Sequence, residues 1–503
     1  MKNENLDVII IGAGLSGIGS AVHLQMNCPD QRYTILEMRS AMGGTWDLFR
    51  YPGVRSDSDM YTLGYKFKPW TNPKAIADGH DIRNYIRETA LEYGVNNHIR
   101  YHHKVTGLSW SSDKARWTIR IQHTDSGKES TLECKFVICC SGYYKYENGY
   151  TPEFAGRDNF RGQIIHPQFW PEELDYSDKR IVVIGSGATA VTLLPSLAEK
   201  AKSVTMLQRS PGYVANVPEK GVLANSLRKY LPEKAVYTIT RASNIALSIG
   251  FYNLTQAYPS WARRFLTEQV EDQLEGVVDI KHFTPRYNVW DERLCAVPDG
   301  DLFAALRGGK ASVVTDHIDR FVEEGILLKS GQQLDADIIV TATGLDLQVL
   351  GGAQLSVDGT VVSVPEKHYY KGAMLEDVPN LAMIFGYTNS SWTLKSDLIA
   401  EYICRILKHM SNRDYDQCVP RHQNVKADSL PFINLSSGYI QRAAALVPRQ
   451  GEKHPWKLYQ NYFKDYAMLK LAKIDDRFLE FSSRNSSSKN DILPKSTKRK
   501  SAS

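Results

Sequence analysis

Short apolar runs, each closed by a glycine-rich turn, punctuate this chain and predict buried strands feeding helices. Residues 6–11 form the first run, and Gly12-Ala13-Gly14-Leu15-Ser16-Gly17 follows directly. An amphipathic helix is expected to about Met26, then a second strand over Tyr33–Leu36 that ends in Glu37. The unit returns as a strand at Arg180–Ile184, the turn Gly185-Ser186-Gly187-Ala188-Thr189-Ala190, a helix over 191–198 and a strand over 204–207. Two further runs, 136–140 and 338–341, end in the small-residue turns Ser141-Gly142 and Ala342-Thr343-Gly344. Residues 215–290 are rich in helix formers and aromatics and do not fit a minimal strand–helix repeat, so they predict a helical insertion.

Each turn needs glycine where backbone must approach a pyrophosphate, which then rests on the positive N-terminus of the following helix. In the first unit Glu37 stands where a carboxylate can accept from ribose hydroxyls, as in an FAD site. In the second, Gln208 and Arg209 fill that slot. A carboxylate there would repel a 2′-phosphate, whereas a guanidinium pairs with it, so NADPH is expected over NADH. The fold class is therefore α/β, with two Rossmann-like dinucleotide-binding domains, for FAD and NADPH, and a helical insertion.

At 503 residues the chain can bury several cores. A formal net charge of +5 is too small for this length to imply nucleic acid. Part of it sits in a Ser- and Lys-rich tail, expected to be disordered. Lys2, Glu4 and Asp7 interrupt any apolar leader, and no stretch approaches the ~20 apolar residues of a spanning helix. Seven cysteines without a C-x-x-C fit a reducing compartment and argue against a flavin disulfide reductase. The expected location is cytoplasmic, with peripheral attachment to the inner face of the cell membrane as the alternative.

Two longer patterns sharpen the picture. Phe160-Arg161-Gly162-Gln163-Ile164-Ile165-His166-Pro167-Gln168-Phe169-Trp170-Pro171 reads F-x-G-x-x-x-H-x-x-x-W-P and lies between the two glycine turns. Gly43-Gly44-Thr45-Trp46 through Tyr51-Pro52-Gly53 to Asp57 reads G-G-x-W-x-x-x-x-Y-P-G-x-x-x-D. With GSGATAV, MLQRSP and DERLCAVPDGDLF, these make the chain resemble the Baeyer–Villiger monooxygenases, in the ethionamide monooxygenase branch, from residue 6 to about 480. The resemblance implies tightly bound FAD and NADPH, with O2 and a small-molecule ketone or sulfur compound as substrates. NADPH would reduce the flavin, a C4a-peroxyflavin would form, and a ketone would become an ester or lactone. An N- or S-oxygenating flavin monooxygenase without that activity is the alternative, and sulfides and thioamides are expected as further substrates.

The resemblance also distributes the chain: 1–144 as the first half of the FAD domain, 145–342 as the NADPH domain, 343–480 as the second FAD half and flavin cover, and 481–503 as a disordered basic tail. It implies FAD contacts at Gly12, Gly14, Ser16, Gly17, Glu37, Thr45, Trp46, Asp47, Leu48, Asp57 and Val105. NADP contacts are implied at Arg55, Ser56, Asp57, Gly185, Ser186, Gly187, Ala188, Thr189, Ala190, Val191, Gln208 and Arg209. Arg293 matches the family's catalytic arginine, the cation for negative charge developing near the flavin, and Asp57 matches the carboxylate that orients it. A salt bridge of Arg293 to Asp291 or Asp301 is the competing structural role. His166 is implied to be a linker residue coupling domain motion to NADPH handling, with Phe160 and Trp170 packed around it, and not a catalytic base. No metal is expected, since His102-His103 has no spaced carboxylate or cysteine partner. Residues 235–266 combine aromatics with Arg241, Arg263 and Arg264; they could form an interfacial helix, line a substrate entrance, or pack internally. The oligomeric state and natural substrate are left open.

Overall fold

Two sheets, one parallel and one parallel except at one edge, organise the computed structural model, which describes residues 4, 6–422, 430–432 and 438–484. Strand β1 (Val8–Ile11), helix α1 (Leu15–Asn27) and β2 (Tyr33–Leu36) form the first βαβ unit, and all eight strand residues are buried. A parallel strand covered on both faces must be apolar throughout, which is why these runs do not alternate. β3 (Ile99–Arg100) and β4 (Phe136–Cys139) extend the sheet, with Val8 opposite both Tyr33 and Phe136. After β4 the chain runs through β5 (Tyr144–Gly149) into a second sheet.

There β6 (Gln163–Ile165), β7 (Arg180–Ile184), helix α2 (Ala188–Ala198) and β8 (Ser203–Gln208) repeat the arrangement. Helices α3 (Glu233–Ala257) and α4 (Pro259–Leu274) follow, meeting at Pro259, which cannot continue the helical ladder of α3. Short parallel strands Val214–Val217 and Cys295–Pro298 pair with each other and bracket this helical segment. β9 (Ala311–Thr315) and β10 (Ile338–Thr341) complete a sheet of order β9-β8-β7-β10-β6. Along β7, Ile181 and Val183 belong to one apolar cluster, Val182 and Ile184 to another, so both faces are covered.

β11 (Leu345–Leu347) then pairs antiparallel with β5, so the two chain crossings between the sheets form one ribbon. β12 (Tyr369–Tyr370), β13 (Met374–Leu375) and β14 (Leu381–Met383) return to the first sheet, whose order is β12-β13-β14-β4-β1-β2-β3. Helix α5 (Trp392–Asn412) packs on α1. The buried Asp397 on α5 accepts from His23 Nε2 on α1 (3.1 Å) and pairs with Arg241 on α3 (3.5 Å). Burial pushes its carboxyl up, but His23, Arg241 and the Lys66 N–H outweigh that and hold it below the usual range. Two ion pairs, Lys395–Asp465, buried on both sides, and Lys371–Asp476, buried at the lysine, both 2.7 Å, tie down the C-terminal segment. Breaking either would strand a desolvated charge, at a cost of roughly 3–5 kcal/mol.

One sheet was not expected, and one expectation needs correction. A five-stranded sheet built largely from His103–Ser111, Arg116–His123 and Glu129–Cys134 is not foretold by the glycine-turn pattern. The expected disordered tail begins too early: Leu479–Ser482 is a strand paired with Gln417–Pro420, because Phe481 packs on His409 and Tyr415. Residues 485–503 lie outside the described residues.

Candidate active site

The first glycine turn is shaped by contact. Gly12 has φ +97°, and a Cβ there would lie 2.6 Å from the Cys140 carbonyl oxygen. One on Gly17 would lie 1.8 Å from the Gly12 oxygen. Gly14 opens α1 with no side-chain cap and no acidic residue in the first turn, leaving the positive helix end unneutralised. Each Glu37 oxygen already accepts one backbone bond, from Ala13 N (2.8 Å) and Arg39 N (2.9 Å), keeping a lone pair for a further donor. Burial pushes this carboxyl up, and those two N–H groups oppose the rise.

Thr45, Trp46, Asp47 and Leu48 make a one-turn helix, Thr45–Leu48, beside that turn, and a Cβ on Gly44 would come within 3.0 Å of Gly14 Cα. Asp47 is buried and held by Arg39 (2.9 Å) and Arg50 (2.8 Å), so it fixes this loop through arginines. Val105 is buried in an apolar cluster of the first unit. Ser16 Oγ accepts from Trp392 Nε1 at 2.7 Å, and the Trp392 ring stacks on Tyr143 at 5.4 Å. Neither aromatic stood out in the sequence, since no spacing rule links them to the turn.

The second turn repeats the geometry. Gly185 has φ +142°, with a Cβ position 2.3 Å from the Ala342 oxygen, whereas a Cβ on Gly187 would meet nothing within 4 Å. Gly187 again leaves its helix uncapped by a side chain. Ser186 Oγ donates to Ser210 O at 3.0 Å. Ala188 and Thr189 are half-buried, but Ala190 and Val191 point into the core, so only their backbone is available to a nucleotide. Gln208 is turned inward: its Nε2 donates to His282 O (2.7 Å) and Thr315 Oγ1 (2.9 Å). Arg209 is exposed, and its charge offsets the effect of burial, which raises the Glu292 carboxyl.

Residues 51–57 cross from one unit to the other. A Cβ on Gly53 would strike Ser196 Oγ on α2 at 2.0 Å, and burial raises the Tyr51 phenol to about 12, with the nearby Thr189 opposing the rise. Arg293 Nη2 then meets Asp57 Oδ2 at 2.6 Å. Asp301 pairs not with Arg293 but with Arg55, through both guanidinium nitrogens. Arg55 therefore presents an engaged side chain, and Ser56 is buried in a turn with Ser58 (2.7 and 2.9 Å). Tyr143 is sensed electrostatically by Arg293 and Asp57 alike, after burial as the main effect raising its phenol. Ser16, Trp392 and Tyr143 are thus joined by direct contacts, and Tyr143 lies within electrostatic reach of the Arg293–Asp57 pair.

His166 sits at the ribbon. Its Nδ1 accepts from Gln168 N (3.2 Å), so Nε2 carries the proton and donates to Gly344 O (3.1 Å). Burial lowers its pKa below 6.5, the neutral ring being satisfied on both nitrogens. Phe160 and Trp170 belong to different clusters, on opposite faces of the second sheet, and do not form one aromatic surround for the histidine. Gly162 lies under Asp337 O, 2.4 Å from a would-be Cβ.

All seven cysteines are buried and free, Cys139 and Cys140 among them. His368, Glu376 and His422 gather in one place. Glu376 accepts from His368 Nδ1 (2.9 Å), and the two imidazoles stack at 4.5 Å with a 7° interplanar angle. Lone pairs in two parallel planes are poorly aimed at one ion, and Glu376 is already engaged by His368.

Two cradled turns with bare helix N-termini, and a cation–carboxylate pair at the end of the segment that crosses between the units, define an α/β oxidoreductase of the two-dinucleotide class. Comparison with known proteins places it further. The model of the pyridine nucleotide-disulphide oxidoreductase family matches residues 9–246. The FAD-containing monooxygenase EthA of Mycobacterium tuberculosis is 51% identical over 483 residues, 96% of this chain and 98% of that protein. The probable FAD-binding monooxygenase AlmA of an Acinetobacter species is 49% identical over 489 residues, 97% of this chain and 98% of its own length. Among solved structures, an oxidized steroid monooxygenase bound to NADP (TM-score 0.74, 20% identity) is covered over its whole length by 95% of this chain. A cyclohexanone monooxygenase bound to ε-caprolactone gives the same TM-score at 19% identity, with the same coverage. The chain belongs to the FAD-containing monooxygenases.

Proposed function

We propose that this flavin monooxygenase uses NADPH and O2 to convert ketones to esters or lactones, and also oxidises sulfides and thioamides. The observation that carries the reading is the 2.6 Å Arg293–Asp57 ion pair, which holds a guanidinium on the segment that crosses between the two units. The residues fit the two cofactors. Gly12, Gly14 and the bare N-terminus of α1 would hold the FAD pyrophosphate, with Glu37 on the ribose. Gly185, Gly187 and Arg209 would hold NADPH, with the exposed guanidinium on the 2′-phosphate. When bound, the flavin, reduced by NADPH, supplies the electrons that activate O2.

The chain's own task is electrostatic. Oxygen insertion beside a carbonyl puts negative charge on oxygen, and a fixed cation that need not reorganise is the efficient response. Asp57 holds the Arg293 side chain in one orientation, and Trp392, bonded to Ser16 of the first turn and stacked on Tyr143, would help bound the flavin. His166, neutral and engaged at both nitrogens, would link the ribbon to the second sheet and is not placed to move protons. The test is a panel of linear, cyclic and aryl ketones plus a thioether, followed by NADPH consumption and product mass. Ester formation at a rate matching NADPH loss is expected; sulfoxide formation with no ester from any ketone would favour the N/S-oxygenating alternative.

A further inference from the structure

We propose that the outer face of α3 and the start of α4 is a docking surface for an anionic lipid bilayer. Between Glu233 and Glu268 the chain contains no carboxylate; its only full charges are Lys234, Arg241, Arg263 and Arg264. Arg241 is not on the surface, because its Nη1 donates to the carbonyls of Tyr61 and Gly64, both at 2.7 Å. The exposed part of this stretch is thus uncharged until its ends. It carries Ile239, Leu247, Leu254, Tyr258, Trp261 and Phe265, all exposed, with Leu247 at 68% and Tyr258 at 61%. The Trp261 and Phe265 rings stack at 5.3 Å, one helical turn apart. Exposed lysines sit at one end (Lys229, Lys234) and exposed arginines at the other (Arg263, Arg264).

An apolar helix face ending in cations at both ends matches the acyl–headgroup boundary of an anionic membrane, with the rings and leucines below the cations. Internal packing is excluded for these side chains by their exposure. No helix among the described residues is long and apolar enough to cross a membrane, so the contact is peripheral.

The inner face of α3 gives the docking a consequence. Asn244 Nδ2 donates to Asp59 Oδ1 (2.9 Å), two residues from Asp57. Thr255 Oγ1 accepts from Trp290 Nε1 (2.9 Å), three residues before Arg293. One helix therefore braces both halves of the ion pair and presents the apolar face. Docking would set the site beside a store of lipid-soluble substrate, a step that rests on the function proposed above, whereas bilayer binding does not.

Flotation of the FAD-loaded full chain with phosphatidylglycerol–phosphatidylcholine vesicles tests this, with pure phosphatidylcholine vesicles in parallel. Co-flotation is expected with the anionic vesicles and should weaken in high salt. Leu247→Glu with Leu254→Glu should lower partitioning by about tenfold or more while leaving the fold intact, since both side chains face water. Arg263→Glu with Arg264→Glu should abolish the preference for anionic vesicles. Absence of binding to the anionic vesicles, or binding untouched by the leucine variant, would overturn the proposal. So would a vesicle-inert dimer that the leucine variant converts to monomer, which would assign the face to a second copy of the chain.

Discussion

The Nε2–H of His166 donates to the carbonyl of Gly344 at 3.1 Å, and the ring is packed so closely on Gly149 that a Cβ there would lie 2.0 Å from Cε1. Gly149 ends one strand of the ribbon between the sheets, and Gly344 immediately precedes the other. A histidine in that position reports on the ribbon. Its folded pKa is lowered by burial from 6.5, so above both values the ring is neutral in folded and unfolded chains alike. As pH falls through the unfolded value, the unfolded chain takes up a proton that the folded one refuses, and stability is lost. His166→Gln should therefore flatten part of the stability loss seen between about pH 8 and 5.5. At neutral pH it should cost about 1–3 kcal/mol in lost hydrogen bonding and packing. Urea midpoints of both proteins across that range check this; parallel curves would remove His166 from the pH response.

Arg209 should set coenzyme choice. Charge-assisted contacts to a phosphate contribute roughly 1.5–3 kcal/mol, or about ten- to a few-hundredfold in preference. Arg209→Ala should raise the KM for NADPH by that factor and leave NADH almost unchanged, because the exposed side chain supports no packing. Equal losses with both coenzymes would argue against the assignment.

The two glycine turns should answer differently to a methyl group. Gly12→Ala adds a Cβ 2.6 Å from a backbone oxygen at φ +97°, so it should fold poorly and be purified with little yellow colour. Gly187→Ala meets nothing within 4 Å and should fold normally, retain FAD and lose NADPH affinity. Flavin absorbance per chain and a coenzyme titration separate the two outcomes. A Gly187→Ala protein that keeps NADPH but loses FAD would reverse the order of the sites.

How far these features were legible varies with their range. The strands and turns of both units follow from local pattern, because four consecutive buried residues and a turn with a glycine at positive φ leave few alternatives. Glu37 was placed by its position at the end of a strand. Gln208 occupied the matching slot, yet Thr315 and His282 draw its side chain inward, and those partners are remote in sequence. Asp291 and Asp301 are the residues that the sequence sets against Asp57 as partners for Arg293; the fold gives Asp301 to Arg55 instead. Such choices depend on how α2 packs under Gly53, which no local pattern records. Trp392 and Tyr143 were missed because their relation to Ser16 exists only once α5 lies on α1.

Arg293 should separate oxygenation from NADPH oxidation. On the proposed function its guanidinium would face charge that develops during oxygen insertion and is absent from the resting cofactors, so removing it should spare FAD binding and reduction by NADPH. Asp57 touches the arginine, so Asp57→Ala should leave the cation present but badly held. Loss of a single well-placed stabilising donor typically costs on the order of 100- to 1000-fold. Arg293→Ala should lose ester formation by that factor while NADPH consumption continues and ends in hydrogen peroxide. Asp57→Ala should reduce the same yield more mildly and in the same direction. The ion pair is partly exposed, with the arginine side chain at 39%, so neither change should lower the melting temperature much. Stopped-flow spectra of the reductive and oxidative halves, with ester measured by mass and peroxide by a coupled assay, distinguish these effects. Normal ester yield from Arg293→Ala would leave the 2.6 Å pair as a tie between the two units and nothing more.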